Sequence, residues 1–177
     1  MPSAARACRG FTLVEMLVVV VIIGVMVTGA VLALGVAGRD RSLENETRRF
    51  DALLVYARDL AELQTREYGL RFTRNGYSFL AWDPHSNLWL EVNDDVLRPR
   101  TLPEGLEFEL VLEGRRVVLD REERLQTLTP HIGVASSGEF TSFEVTLRRV
   151  GGLPRQTIRP LEDGSLEIGE LIETGAG

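Results

Sequence analysis

The chain has 177 residues, one cysteine, 26% charged residues and a formal charge of −6, the size of one domain with an appendage, which excludes a multidomain machine. All 20 basic residues are arginine and none is lysine, so P-loop and Schiff-base lysine chemistry is excluded. From Phe11 onward 18 arginines face 26 acids, a balance of −8, and residues 161–177 hold five acids and no arginine; nucleic-acid binding is disfavoured, because affinity for phosphate needs clustered cations that release counterions.

The N-terminus carries Arg6 and Arg9 without an acid, together with Cys8, the one cysteine. Everything after it is cysteine-free, so neither a disulfide framework nor a Cys-ligated zinc site can form within the chain. From Met16 to Gly38, 23 consecutive residues carry no charge. As a helix that run is roughly 35 Å long, enough to cross a hydrocarbon layer about 30 Å thick. A buried core helix with no polar face would need a larger protein around it. Arg6 and Arg9 before the span keep the N-terminus cytoplasmic by the positive-inside tendency, although Arg39 and Arg41 beyond it weaken that signal. A cleaved secretory signal would have an apolar core of roughly 7 to 15 residues, shorter than this one.

Glu15 stands at the mouth of the apolar run. A charge at mid-membrane costs ~2.5 to 3.5 kcal/mol on insertion scales, so such a residue has a partner or lies near the interface. Its residue type alone leaves open an interfacial carboxylate favoured by the positive end of the helix. The flanking string Arg9-Gly10-Phe11-Thr12-Leu13-Val14-Glu15, followed by the aliphatic run, resembles the class III signal of type IV pilins and type II secretion pseudopilins. That resemblance implies cleavage between Gly10 and Phe11 by a prepilin peptidase, N-methylation of Phe11, and loss of a leader, residues 1–10, that carries Cys8 away. It also implies a role for Glu15 in assembly, where its carboxylate answers the new N-terminal amine of a neighbouring subunit in low dielectric. A plain single-pass anchor is the alternative.

After Gly38 the pattern becomes amphipathic. Leu43, Thr47, Phe50, Leu53, Leu54, Ala57, Leu60, Ala61, Gln64 and Tyr68 recur every three or four positions, with Glu44, Glu46, Arg48, Arg49, Asp51, Arg58, Asp59, Glu62 and Arg66 between them on a solvated face. No proline occurs from residue 3 to 83, so helix is predicted from about Thr12 to Arg66, with Gly69 as its stop. The resulting division is 11–38 as a transmembrane and assembly helix, 39–68 as the amphipathic half of the spine, and 69–177 as a β-rich domain.

Beyond Tyr68 the period becomes two. Leu70 and Phe72, then Tyr77, Phe79 and Ala81, flank Asn75-Gly76, a hairpin signal because both residues tolerate positive φ. Further strands are predicted at 88–92, 106–112, 116–119 and around Phe143, Val145 and Leu147, with a last hairpin of 156–161 and 166–168 turning at Asp163-Gly164. Residues 120–130 read as a loop. A helix followed by strands makes the fold class α+β, a long N-terminal helix with a membrane-spanning first half, packed on an antiparallel β-sheet or a two-sheet globular domain. The stretches Arg58-Asp59, Glu67 to Phe72, Tyr77 to Trp82 and Ser136 to Thr141 resemble the H-type minor pseudopilin family of type II secretion systems. That resemblance implies a pilin-like fold, the inner membrane as anchor, a periplasmic domain, other major and minor pseudopilins as partners, and secreted proteins as further contacts.

Other residues invite chemistry. Asp83-Pro84-His85 and Asn93-Asp94-Asp95 could be metal ligands, but both are ordinary turn sequences. His131 lacks companions for a catalytic set, Ser136-Ser137-Gly138-Glu139 reads as a polar turn before a strand, and Trp82 and Trp89 read as packing. No cofactor is expected. The readings left are a structural pseudopilus subunit that helps move folded proteins across the outer membrane, a minor type IV pilin of pilus priming or DNA uptake with Arg115-Arg116 and Arg148-Arg149 as its cationic doublets, and, more weakly, a membrane-tethered enzyme.

Overall fold

The computed structural model describes residues 13–120 and 128–173, and within the first helix the side chains of residues 30–40 lie outside what is described. The leader, Gly10 and Phe11, and residues 121–127 of the expected loop, also lie outside the described residues. The chain forms two compact units, Met1–Arg39 and Asp40–Gly177.

The helix α1 (Leu13–Gln64) contributes to both. In the first unit it is aliphatic, and every large apolar side chain from Leu13 to Val27 is exposed, from 41% at Val19 to 83% at Leu13. Among the described residues no helix is long and apolar enough to cross a membrane; the run expected to do so, residues 16–38, continues past Gly29 into side chains outside the described ones.

In the second unit α1 buries the predicted stripe: Leu43, Thr47, Phe50, Leu54, Ala57 and Ala61 are fully buried and Leu53 nearly so. Glu46 corrects the expected solvated face. It is only 3% exposed, because it lies three residues after Leu43 and four before Phe50 and so falls on the apolar stripe. The helix stops at Thr65, not at Gly69. Thr65 takes a left-handed φ of 48°, and the N–H groups of Arg66 and Thr65 donate to the carbonyls of Ala61 (3.1 Å) and Glu62 (3.3 Å). Those two bonds are the pair that ends a helix through a left-handed residue and satisfies its last carbonyls.

Ten strands follow: β1 (Tyr68–Thr73), β2 (Gly76–Asp83), β3 (Leu88–Glu91), β4 (Arg100–Thr101), β5 (Leu106–Leu112), β6 (Arg115–Val117), β7 (Ile132–Val134), β8 (Phe143–Arg149), β9 (Arg155–Pro160) and β10 (Leu166–Ile168). They form two antiparallel five-stranded sheets, one ordered β3-β2-β1-β7 with β4 also paired to β2, the other β10-β9-β8-β5-β6. The alternation in β5 is expressed directly: Leu106, Phe108 and Leu110 are buried while Glu107 and Glu109 lie on the other face.

The β1–β2 hairpin is where expected, but its turn differs. Thr73 pairs with Gly76, so Arg74 and Asn75 form the turn, and neither Asn75 nor Gly76 is among the positive-φ residues. Gly76 is needed for space: a Cβ there would lie 2.7 Å from the Arg100 carbonyl oxygen of β4. A turn with two left-handed residues does occur at Glu113-Gly114 (φ 48° and 76°), between β5 and β6, where its twist matches that of the flanking strands. Gly69 belongs to β1, where a Cβ would collide with the Pro130 ring.

One core serves the helix and both sheets. Phe50 of α1 meets Phe72 of β1, Tyr77 of β2 and Phe108 of β5 at centroid separations of 5.8, 5.0 and 5.6 Å, and Phe72 meets Phe108 edge-on at 5.2 Å. Tilted and edge-to-face rings add to the stabilisation from apolar burial. The Arg74 backbone ties the sheets: its N–H donates to the Asp120 carbonyl (2.8 Å) and its carbonyl accepts from the Phe108 N–H (2.7 Å).

Candidate functional site

The feature with the clearest chemical consequence is the first half of α1. Glu15 sits in its first turn, where an acid is favoured by the unpaired N–H groups of the helix start. The thirteen large apolar side chains from Leu13 to Val27 around and beyond it are all exposed. At about 25 cal/mol per Å² of apolar surface, leaving such a stripe in water is costly, so it is a surface built to be covered. Among the described residues, Gly24 and Gly29 have nothing within 4 Å of the position a Cβ would occupy, so no described neighbour requires a glycine at either place.

The other sequence candidates take up structural tasks. Asp83 closes the β2–β3 loop, accepting from the N–H groups of His85 (3.2 Å) and Ser86 (3.3 Å) and from the Ser86 hydroxyl (2.6 Å). The Ser86 hydroxyl bond, and then the backbone bonds, lower its carboxyl below the usual range. Asp94 accepts from the N–H groups of Val96 (2.7 Å) and Leu97 (3.1 Å), which seats Leu97 in the core. Asp163 bonds Ser165 in the same way in the β9–β10 turn. Among the described residues no group of three or more His, Cys, Asp or Glu is placed to hold a metal ion.

His131 is a core fastener. Its Nδ1 accepts the Phe72 N–H at 3.0 Å, and burial, with the Arg71 guanidinium, lowers its pKa below the ordinary 6.5. The Ser136–Glu139 segment is a tight turn in which Gly138 N–H donates to the Ala135 carbonyl (2.9 Å) and Ala135 N–H to the Glu139 carbonyl (2.8 Å). It walls a groove of about 500 Å³ that Arg58, Glu62 and Gly164 also line, and Arg58 spans it by donating to the Gly164 carbonyl at 2.9 Å. Trp82 and Trp89 face each other across β2 and β3 at 5.4 Å.

Each arginine doublet has a member in an ion pair within the second sheet. Arg148 of β8 meets Glu107 (2.9 Å) and Glu109 (3.5 Å) of β5, and Arg116 of β6 meets Glu109 at 2.5 Å. The register accounts for this, because Glu107 pairs directly with Arg148 and Glu109 with Thr146. A buried polar pair was not expected from the sequence: Glu46, held by Arg49 at 2.9 Å, shares its surroundings with the buried Tyr77 hydroxyl, which has no hydrogen-bond partner among the described residues. Burial, and then the Glu46 carboxylate, push that phenol far up.

Similarity to known proteins resolves what this arrangement belongs to. The chain is 40% identical over 151 residues to the type II secretion system protein H of Pseudomonas aeruginosa, an alignment covering 82% of this chain and 86% of that protein. The chain belongs to the type II secretion system protein H family. It is 30% identical over 168 residues to the family member from Aeromonas hydrophila, with 90% and 92% of the two chains covered. Residues 5–37 match the prokaryotic N-terminal methylation motif. The fold is that of the minor pseudopilin EpsH of Vibrio cholerae, with a TM-score of 0.63 at 22% identity over 76% of this chain and 98% of that one. It is also that of Escherichia coli GspH, known from a solution structure, with a TM-score of 0.56 at 17% identity over 74% of this chain and 89% of that one. This H-type minor pseudopilin therefore has secretion-system relatives, and the type IV pilin alternative is not favoured.

Proposed function

We propose that this pseudopilin is made with a ten-residue leader, cut by a prepilin peptidase between Gly10 and Phe11, methylated on Phe11, and anchored in the inner membrane by the apolar half of α1 with Asp40–Gly177 in the periplasm. It then enters a pseudopilus with other major and minor pseudopilins and serves there as a structural subunit, without enzymatic chemistry, in moving folded proteins across the outer membrane. The observation that carries the reading is the exposed aliphatic helix headed by Glu15, which lies within the matched methylation motif. A helix of this kind is covered by lipid before assembly and by neighbouring helices after it. Gly24 and Gly29 then allow close backbone approach.

Glu15 supplies the register. Cleavage creates an amine on Phe11, and an amine buried among apolar helices costs several kcal/mol unless a carboxylate of a neighbour answers it. The test is Glu15→Leu in the full chain, read by site-specific crosslinking to neighbouring pseudopilins and by secretion. The variant is expected to be cut and inserted normally yet to crosslink poorly. Wild-type crosslinking and secretion would leave Glu15 as an interfacial carboxylate with no part in assembly.

A further inference from the structure

The strand β3 is an open edge. Among the described residues it pairs only with β2 and ends the first sheet. The opposite edge, β7, is closed: Thr141 N–H donates to the Gly133 carbonyl (3.0 Å), Gly133 N–H to the Thr141 hydroxyl (3.0 Å), and Val134 bridges to Phe140. The edges of the second sheet, β6 and β10, are three residues each, and β6 carries Arg115 and Arg116. Natural sheets protect their edges by such shortness, charge or cover, whereas β3 reads Leu-Trp-Leu-Glu and exposes Leu88 at 48% and Leu90 at 43%.

The ladder fixes which main-chain groups face outward. Val92 N–H donates to the Phe79 carbonyl at 3.1 Å, so in the antiparallel alternation the pairs Ala81/Leu90 and Asp83/Leu88 exchange bonds within the sheet. Trp89 and Glu91 therefore turn their N–H and C=O groups to the open side. Leu88 and Leu90 stand on one face of that edge and Trp89, braced by Trp82, on the other. Both ends are acidic: Asp83 lies opposite Leu88, and Glu91 leads into Asn93-Asp94-Asp95.

We propose that β3 is a docking edge, taking an extended segment of a partner protein that is apolar at alternate positions and basic at its ends, and that adds to the first sheet as a further antiparallel strand. Main-chain bonds to Trp89 and Glu91 supply the affinity, Leu88 and Leu90 the apolar contact, and the acidic ends the orientation. A second copy of this chain is the poorer occupant, because two such edges would bring acid against acid in a chain of net charge −6.

The test uses the full chain in lipid nanodiscs and a synthetic ten-residue peptide alternating valine with threonine between arginine ends. Its controls are the same peptide methylated on alternate backbone nitrogens and one with glutamate ends. Binding is read by the fluorescence of the two tryptophans and by amide exchange. The arginine-ended peptide is expected to bind and to slow exchange at the Trp89 and Glu91 amides, while backbone methylation or glutamate ends weaken binding about tenfold or more, as loss of main-chain bonds or of charge complementarity requires. Glu91→Pro, which removes an outward N–H and no bond to β2, should weaken it similarly. Absence of binding, equal binding of the methylated peptide, protection elsewhere, or protection produced by raising the protein concentration alone would overturn the proposal. The methylated peptide decides on wild-type protein even where Glu91→Pro disturbs folding.

Discussion

The Glu62 carboxylate lies against the backbone of Gly138, in the place a Cβ on that residue would occupy, and Gly138 itself has a φ of +85°. The contact joins the last turn of α1 to the β7–β8 connection, so one glycine serves both a turn that needs a left-handed residue and a close helix contact.

Gly138→Ala is expected to destabilise the protein by about 1 to 3 kcal/mol, from the left-handed backbone and the collision together. Adding Glu62→Ala should recover the collision part and leave the backbone part. Urea unfolding of both variants in detergent checks this; equal losses in the single and double variants would mean that Glu62 yields freely.

His131 makes stability depend on pH in a defined sense. Its folded pKa lies below the ordinary 6.5, so on acidification the unfolded chain takes up a proton that the folded one refuses. The contribution is complete above pH ~6.5 and is lost as pH falls through that value toward the folded pKa, with a slope of at most about 1.4 kcal/mol per pH unit. His131→Asn, whose side-chain oxygen can replace Nδ1 as acceptor for the Phe72 N–H, should flatten that slope between about pH 7.5 and 5.5. Unchanged slopes in parallel urea titrations would remove His131 from the account.

Removing residues 1–39 should leave a soluble domain that melts cooperatively, because the buried core runs from Leu43 to Ile158 and lies entirely within Asp40–Gly177. Aggregation, or the absence of a cooperative transition by calorimetry, would show that the apolar half of α1 is needed for folding.

Much of this fold is legible in local pattern. The stripe from Leu43 to Ala61 and the alternation in β5 and β8 report burial directly, because a helix or strand with one covered face must repeat with its own period. What local pattern does not carry is the choice among neighbours. Gly69 and Gly76 look like a stop and a turn residue, and only Pro130 and the Arg100 carbonyl, distant in sequence, reveal that space demanded them. The two-residue β4 is too short to show a period, and it exists because β2 offers an edge beside it. Glu46 was recoverable from its helical position between Leu43 and Phe50, but charge masks burial when residues are sorted by type. At the N-terminus the reverse holds: Arg9 to Glu15, within the matched methylation motif, carries the proposed processing signal in its sequence, and no fold is needed to read it.

The most direct test of the proposed pseudopilin role is the mass of the chain isolated from cells with and without prepilin peptidase. Processing predicts a product beginning at Phe11 and carrying one methyl group when the peptidase is present, and the intact chain from Met1 when it is absent. A chain that keeps residues 1–10 in the presence of the active peptidase would contradict the account.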